Sequence, residues 1–307
     1  NTTVTTQIFI TPEYNVRIWI PFVGWVTYAC NGEPETIVVT IHPTPSATST
    51  ILNPIICSGS SPEITVNGNI TDNDMQFNWS IPTITGITSS VGNSGTITTN
   101  GGTTGINTFT IPGTLTNNTN APINVTYTIT PQATTTPSCP GSAITRTVTV
   151  LPEVSGGTIN TDQVICSGDV PSGLTGTASS LTGGSVSYQW EVSTDNLNFN
   201  PISGATSQNY TPTNGITVLT YYRRITTYSS NGVSCSGSSG ISNVITINPN
   251  VVTAGTIANN QTICSGDIPT DLTGTLPTAS ISGTVFTYLW ESAPNAGGPW
   301  TSTGITT

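Results

Sequence analysis

The tetrapeptide Ile56-Cys57-Ser58-Gly59 recurs as Ile165-Cys166-Ser167-Gly168 and as Ile263-Cys264-Ser265-Gly266. The first two cysteines of these copies are separated by 109 residues, and the second and third by 98. Each copy is followed by a short aromatic segment that ends in tryptophan: Trp79, Trp190 or Trp290. A repeat of this length predicts a tandem array of domains.

The composition indicates strands rather than helices. Threonine makes up about a fifth of the 307 residues, only 6% of residues are charged, and lysine is absent. Short alternating apolar segments are separated by Asn and Gly turns, and each repeat has one Trp on an early strand. These features predict an all-β chain of tandem immunoglobulin-like β-sandwiches in an extended rod.

The repeat spacing divides the chain into four segments. Residues 1–43 are predicted to be the C-terminal half of a truncated sandwich, because Cys30 precedes Pro43 by the same 13 residues that separate Cys139 from Pro152. Residues 44–152 and 153–249 are predicted to be whole repeats, joined to their neighbours by Pro-bearing linkers. Residues 250–307 are expected to begin a further repeat.

Each whole repeat contains one early and one late cysteine. We predict the disulfides Cys57 to Cys139 and Cys166 to Cys235, and therefore an oxidising, extracellular setting. The alternative is that these cysteines are buried thiols. No Cys-x-x-Cys pair occurs and there is a single histidine, so a zinc site is not expected.

The charge excludes some partners. With a net charge of −10, the chain has no basic surface for nucleic acid or for an anionic membrane. The chain contains no run of 18 apolar residues, which membrane insertion would require, and its first residues do not have the pattern of a signal peptide. We expect no cofactor.

Two sets of motifs carry a family resemblance. The second repeat, with Tyr188-Gln189-Trp190, Tyr210-Thr211-Pro212 and Tyr221-Tyr222-Arg223-Arg224, resembles the immunoglobulin-like repeats of very large surface proteins of Bacteroidetes. The first whole repeat, with Phe77-Asn78-Trp79 and the segment from Val125 to Pro131, is similar to the PKD-like domain found beside them. Mixed arrays of this kind resemble the SprB-like mobile adhesins of gliding motility.

The resemblance implies a non-enzymatic stalk that projects a binding region and transmits force. It implies export by the type IX secretion system, attachment to the outer membrane at the cell surface, binding of a substratum or polysaccharide through the parent adhesin, and contact with the surface motility machinery. The alternative is that the array serves as a spacer or carbohydrate-binding module of a secreted polysaccharide-degrading enzyme.

Few residues predict chemistry. His42 has no Ser or Cys motif around it, which favours a linker-adjacent histidine over a general base. Asp72 and Asp74 could offer oxygens to calcium, but two carboxylates fall short of the six to eight ligands that the ion needs, and a solvated turn is favoured. No catalytic residue is predicted.

An aromatic insert is the best candidate for binding. The alternating pattern predicts a hairpin of Val16 to Ile20 and Trp25 to Cys30, with Trp19, Phe22 and Trp25 near its turn. These rings could stack on sugars or on a neighbouring chain, or they could fill the core of the truncated first repeat. The recurrent Trp79, Trp190 and Trp290 are expected in the sandwich cores.

Overall fold

The computed structural model describes residues 4–70, 75–99, 108–134, 138–236 and 240–306. Twenty-six strands run through these ranges, and none of the residues described lies in an α-helix. The all-β prediction is therefore confirmed. Contacts divide the chain into two compact units. The first comprises Asn1–Glu153, Ser180–Ser185 and Ser229–Cys235, and the second comprises Val154–Ser179, Val186–Tyr228 and Ser236–Thr307.

The first unit begins with two antiparallel ribbons. Their strands are β1 (Val4–Ile10), β2 (Glu13–Ile20), β3 (Gly24–Asn31) and β4 (Glu35–Ile41). Strand β1 pairs with β4, and β2 pairs with β3 across the predicted hairpin. All the residues of β1 and β4 are exposed, so no residue that the structure describes covers either face of this ribbon.

A β-sandwich follows in the same unit. Its strands are β5 (Ala47–Ile51), β6 (Ile55–Ile56), β7 (Ile64–Gly68), β8 (Met75–Ser80), β9 (Ile87–Ser89), β10 (Ser94–Thr99), β11 (Thr108–Thr110), β12 (Leu115–Asn117), β13 (Ile123–Ala133) and β14 (Ile144–Val150). The larger sheet has the order β10-β8-β13-β14-β6, the smaller β11-β7-β5, and β12 pairs with β9. One core contains residues of both sheets, including Val66 of β7 and Phe77 of β8.

The strands of this sandwich follow the two-residue period of the sequence. In β13, Val125, Tyr127 and Ile129 are buried while the residues between them are partly exposed. Alternate side chains of a strand point to opposite faces of the sheet, so this pattern places one face in the core. Trp79 of β8 is buried in the same core and its ring lies 6.1 Å from the ring of Tyr127.

The second whole repeat forms a six-stranded sheet. Its strands are β15 (Gln163–Cys166), β16 (Ser185–Ser193), β17 (Asn200–Pro201), β18 (Thr220–Ser230), β19 (Val233–Cys235) and β20 (Ile245–Asn250). The order is β15-β20-β18-β16-β17, with β19 paired to β18. Trp190 of β16 is fully buried beside Leu174, Tyr222 and Ile247. The expectation that Trp79 and Trp190 occupy cores is confirmed, whereas Trp290 is only half-buried.

The remaining strands form three short ladders in the second unit. They are β21 (Val252–Thr253), β22 (Ile257–Ala258), β23 (Thr273–Gly274), β24 (Thr278–Ala279), β25 (Leu289–Ser292) and β26 (Thr301–Thr306). Strand β21 pairs with β24, β22 with β23, and β25 with β26. Most of their residues are exposed, so this region has little core of its own.

Candidate functional site

The three Cys-Ser-Gly copies adopt the same tight turn. The amide of the residue that follows the glycine donates to the cysteine carbonyl in each copy: Ser60 to Cys57 at 3.1 Å, Asp169 to Cys166 at 3.0 Å and Asp267 to Cys264 at 3.1 Å. The glycines have φ between 84° and 97° in all three turns. Only glycine adopts that conformation without steric cost, which explains the recurrence of the motif.

Matching backbone bonds anchor the first two turns. Gly59 N donates to Leu115 O at 2.8 Å, and Leu115 N donates back to Ser60 O at 3.0 Å. In the second repeat Gly168 N donates to Ile216 O at 2.8 Å, and Ile216 N donates back to Asp169 O at 2.9 Å. The two turns are therefore structural equivalents, and each presents its cysteine at the same place in its repeat.

Buried Asn117 fixes the first turn further. Its backbone amide donates to Ser58 Oγ at 3.0 Å, and its Nδ2 donates to the carbonyls of Val150 at 2.9 Å and Ala121 at 2.8 Å. These contacts join the turn to the ends of strands β12 and β14. Cys57 is thus held on a rigid part of the sandwich.

The structure joins Cys57 to Cys235 by a disulfide, with Cα atoms 5.6 Å apart. Both residues lie in the first compact unit, where Cys235 is the last residue of the Ser229–Cys235 segment. Cys235 is buried at the end of β19. Because each sulfur forms a single disulfide, both predicted pairs, Cys57 to Cys139 and Cys166 to Cys235, are wrong.

The sheet explains why Cys57 cannot reach Cys139. Cys57 follows Ile56, which pairs with Val150, and Val150 pairs with Ile123 at the first residue of β13. Cys139 accepts a backbone bond from Ala133, the last residue of β13. Ten residues of strand separate these positions by about 33 Å. A disulfide requires Cα atoms within about 7 Å.

A similar separation rules out the pair Cys166 to Cys235. Cys166 lies opposite Asn250 of β20, and β20 meets the first residue of β18 through the pair Thr220 and Ile247. Cys235 lies in β19, which folds back on the other end of β18, where the hydroxyls of Ser229 and Ser234 are 2.7 Å apart. About nine residues of β18, or about 30 Å, lie between the two positions. Cys166 is exposed and carries a free thiol.

The aromatic insert lies on an exposed hairpin. Trp19 of β2 and Trp25 of β3 are directly opposite each other, so their side chains share one face. They are 54% and 64% exposed, and Phe22 at the tip is fully exposed. Among the residues described, none of these three side chains belongs to a core cluster. The structure therefore places them as a surface, not as the core of this segment.

The structure does not test the weak calcium candidates. Asp72 and Asp74 lie outside the described residues. Within the ranges that the structure covers, there is no group of three or more His, Cys, Asp or Glu side chains that could hold a metal ion. Nor does any helix in those ranges have the length and apolar character that a membrane span requires. His42 is half-buried after β4.

One buried arginine was not predicted from the sequence. The Arg224 side chain is 1% exposed and donates to three carbonyl oxygens: Nη1 to Gln208 at 2.8 Å, and Nη2 to Gly156 at 3.0 Å and Thr177 at 2.9 Å. Its guanidinium lies 4.4 Å from the ring centroid of Tyr188. Burial lowers the pKa of Arg224, and Tyr188 opposes part of that shift. The alternation of β18, in which Tyr222 and Thr226 are also buried, is the signal that could have revealed it.

Tyr127 and Asp195 also have shifted pKa values. Burial raises the pKa of Tyr127 to about 12. In the turn after β16, the exposed Asp195 accepts hydrogen bonds from the amide and side chain of Asn198, from the amide of Leu197 and from the hydroxyl of Ser193. These bonds, led by those of Asn198, hold the pKa of Asp195 well below its ordinary value. Both groups have structural roles.

Comparisons with known families match the two whole repeats separately. Residues 54–154 match the model of a PKD-like domain, and residues 155–250 match a domain of unknown function, DUF8696. A search of curated proteins found no match.

Solved structures also show low similarity to this chain. A fragment of titin is 12% identical, with a TM-score of 0.31, and the match covers 80% of this chain and 91% of that one. The FN1–FN3 domains of chicken CNTN1 are 13% identical with a TM-score of 0.26, covering 77% of each chain. The calcium-binding domain CBD12 of CALX1.1 is 8% identical with a TM-score of 0.26, covering 58% of this chain and 78% of that one. From its own strands and cores, together with the family match, the chain is a tandem array of β-sandwich repeats that includes a PKD-like domain.

Proposed function

We propose that this chain is a load-bearing, non-enzymatic stalk segment of a very large cell-surface adhesin of the SprB-like type. In this role the repeats project a binding region from the cell and carry tension between that region and the surface motility machinery. The repeat architecture and the low charge support the proposal. The observation that carries it is the disulfide between Cys57 and Cys235.

The disulfide changes which residues bear a pulling force. When the two chain ends are pulled, tension passes from Cys57 through the sulfur atoms to Cys235 and bypasses the 177 residues between them. Strands β7 to β18, with Trp79 and Trp190 in their cores, lie inside the bypassed loop. Tension therefore does not act on these strands, which supply most of the buried side chains of the two repeats. The two repeats would stay folded while the chain carries tension, as a stalk requires.

Single-molecule force spectroscopy tests this role. The chain is attached by its two ends and stretched with and without reductant. Because the bypassed loop spans 178 steps along the chain, reduction should add about 60 nm of extension on complete unfolding. Cys57→Ser is the matched control and should show the longer extension in either condition. Release of the same length by the oxidised native chain and by Cys57→Ser would contradict the proposal, because the disulfide would then not carry the tension.

Cell-surface display is tested separately. Intact cells that produce the protein are treated with a protease, and the released peptides are sequenced without reduction. Peptides of this chain released together with those of many similar repeats, and joined through Cys57 and Cys235, are the expected result. A parent polypeptide found free in the medium and fused to a hydrolase domain would contradict the adhesin role.

The exposed aromatic hairpin supports a second candidate function, a carbohydrate-binding module in a secreted polysaccharide-degrading enzyme. Trp19 and Trp25 form a flat apolar pair of the kind that stacks on sugar rings. Saturable glycan binding that is lost in Trp19→Ala and Trp25→Ala would favour this function. Trp290→Ala, which lies outside the hairpin, is the control.

A further inference from the structure

The observed disulfide connects cysteines of two successive repeats. Cys57 lies early in the residues matched by the PKD-like domain, and Cys235 lies late in those matched by the next domain. The early cysteine of one repeat is thus bonded to the late cysteine of the repeat that follows it. This inference concerns covalent connectivity and does not depend on the adhesin role.

Cys166 is the early cysteine of the second repeat and occupies the same turn as Cys57. Both turns have a cysteine carbonyl bonded to the amide three residues on, a glycine with positive φ, and a reciprocal backbone pair to a later segment. Strand β6 runs parallel to β14 just before Cys57, and β15 runs parallel to β20 up to Cys166. The difference is that Cys166 carries an exposed free thiol.

The late cysteines are also equivalent. Strands β13 and β18 are each 11 residues long and lie between the Trp strand and the last strand of their sheets. Cys139 follows β13 and Cys235 follows β18, each at the same end of its strand. Within one repeat, the early and late positions are about 30 Å apart, because a long strand separates them. Pairing within a repeat is therefore excluded by geometry, and pairing with the following repeat is the arrangement that the structure displays.

We propose that Cys166 forms the same kind of disulfide with the late cysteine of the repeat that follows it. Disulfides from an early to a late cysteine would then covalently link each repeat to the next. The two thiols lose two protons and two electrons and form one sulfur–sulfur bond. A low-molecular-weight disulfide such as oxidised glutathione accepts them and is reduced to two thiols.

A chimera tests the proposal. Residues 264–307 are replaced by a second copy of residues 166–250, which places another repeat of this kind after Cys166 and supplies a new late cysteine. The chain is refolded with reduced and oxidised glutathione, alkylated and mapped without reduction. We expect a peptide that joins Cys166 to the copied late cysteine, and at least a tenfold loss of alkylation at Cys166 relative to the 307-residue chain.

Two variants make the result decisive. In the chimera with Cys166→Ser, the copied late cysteine should become alkylated while the bond between Cys57 and Cys235 persists. A second chimera, in which residues 250–307 are replaced by residues 153–249, provides a different junction in case the first does not fold. The bond between Cys57 and Cys235 reports folding of the repeats upstream in both.

Three outcomes would overturn the proposal. One is a chimera that forms the bond between Cys57 and Cys235 but leaves Cys166 alkylated. Another is a copied early cysteine bonded to the late cysteine of its own repeat. The third is the absence of the bond between Cys57 and Cys235 from the native chain and from both chimeras, since that would remove the pattern from which the inference is drawn.

Discussion

Replacing Arg224 by methionine should locally destabilise the second whole repeat, while the β-sandwich of the first repeat remains intact. The guanidinium donates to the carbonyls of Gln208, Gly156 and Thr177 in an almost fully buried site. Hydrogen bonds that involve a charged group contribute about 1.5 to 3 kcal/mol each. Methionine also removes the cost of burying a charge, and Nε has no hydrogen-bond partner among the described residues. We therefore expect a net loss of about 3 to 5 kcal/mol.

Arg223 is the matched control, because it is the adjacent residue on the opposite face of β18. Its side chain is 24% exposed, forms an ion pair with Glu191 at 2.7 Å and lies over the ring of Phe199 at 4.0 Å. Such partly exposed contacts stabilise the folded state by about 1 kcal/mol. Arg223→Met should therefore have a small effect.

Hydrogen-exchange mass spectrometry separates the two cases. A loss of 3 to 5 kcal/mol corresponds to a fall of about 150- to 4,000-fold in the protection of peptides from β16 and β18 in Arg224→Met. Arg223→Met should lower it by about fivefold. Peptides from β8 and β13 should keep their protection in both variants. Equal effects of the two substitutions, or an equal loss of protection in β8 and β13, would refute the reasoning.

Two predictions concern pH. Burial raises the pKa of Tyr127 to about 12. The contribution of the neutral Tyr127 side chain to the free energy of unfolding is therefore complete below pH 10 and is lost as the pH rises toward 12. Between pH 9 and pH 12, Tyr127→Phe should therefore lose about 2 to 3 kcal/mol less stability than the native chain in urea unfolding, and equal losses would contradict this. The lowered pKa of Asp195 means that its turn is fully stabilised above its ordinary pKa near 3.8 and loosens as the pH falls below it. In Asp195→Asn at neutral pH, the amides of Leu197 and Asn198 should exchange faster; unchanged exchange would show that the carboxylate does not hold the turn.

Much of the first sandwich was predictable because its strands are half-buried. The alternation in β13 and β14 indicates which face of the sheet lies in the core. Both predicted strands of the hairpin that carries Trp19 and Trp25 lie within β2 and β3. The Cys-Ser-Gly turns are also local, since they depend on a positive φ at one glycine. Features like these are encoded within a few neighbouring residues.

The aromatic insert shows where local reasoning stops. The pattern that predicts a hairpin is the same whether its rings face a core or solvent. Only the surrounding strands decide, and here Trp19, Phe22 and Trp25 have none packed over them among the described residues.

Sequence alone determined the all-β class, the repeat period, the hairpins and the burial of Trp79 and Trp190, because each depends on short-range periodicity or on turn chemistry. Tertiary structure decided the partner of Cys57 and the burial of Arg224. One early and one late cysteine in each repeat suggest a bond within the repeat, but an 11-residue strand holds the two positions about 30 Å apart. Disulfide partners and buried charges depend on which distant segments meet in space, and spacing along the chain carries no such information.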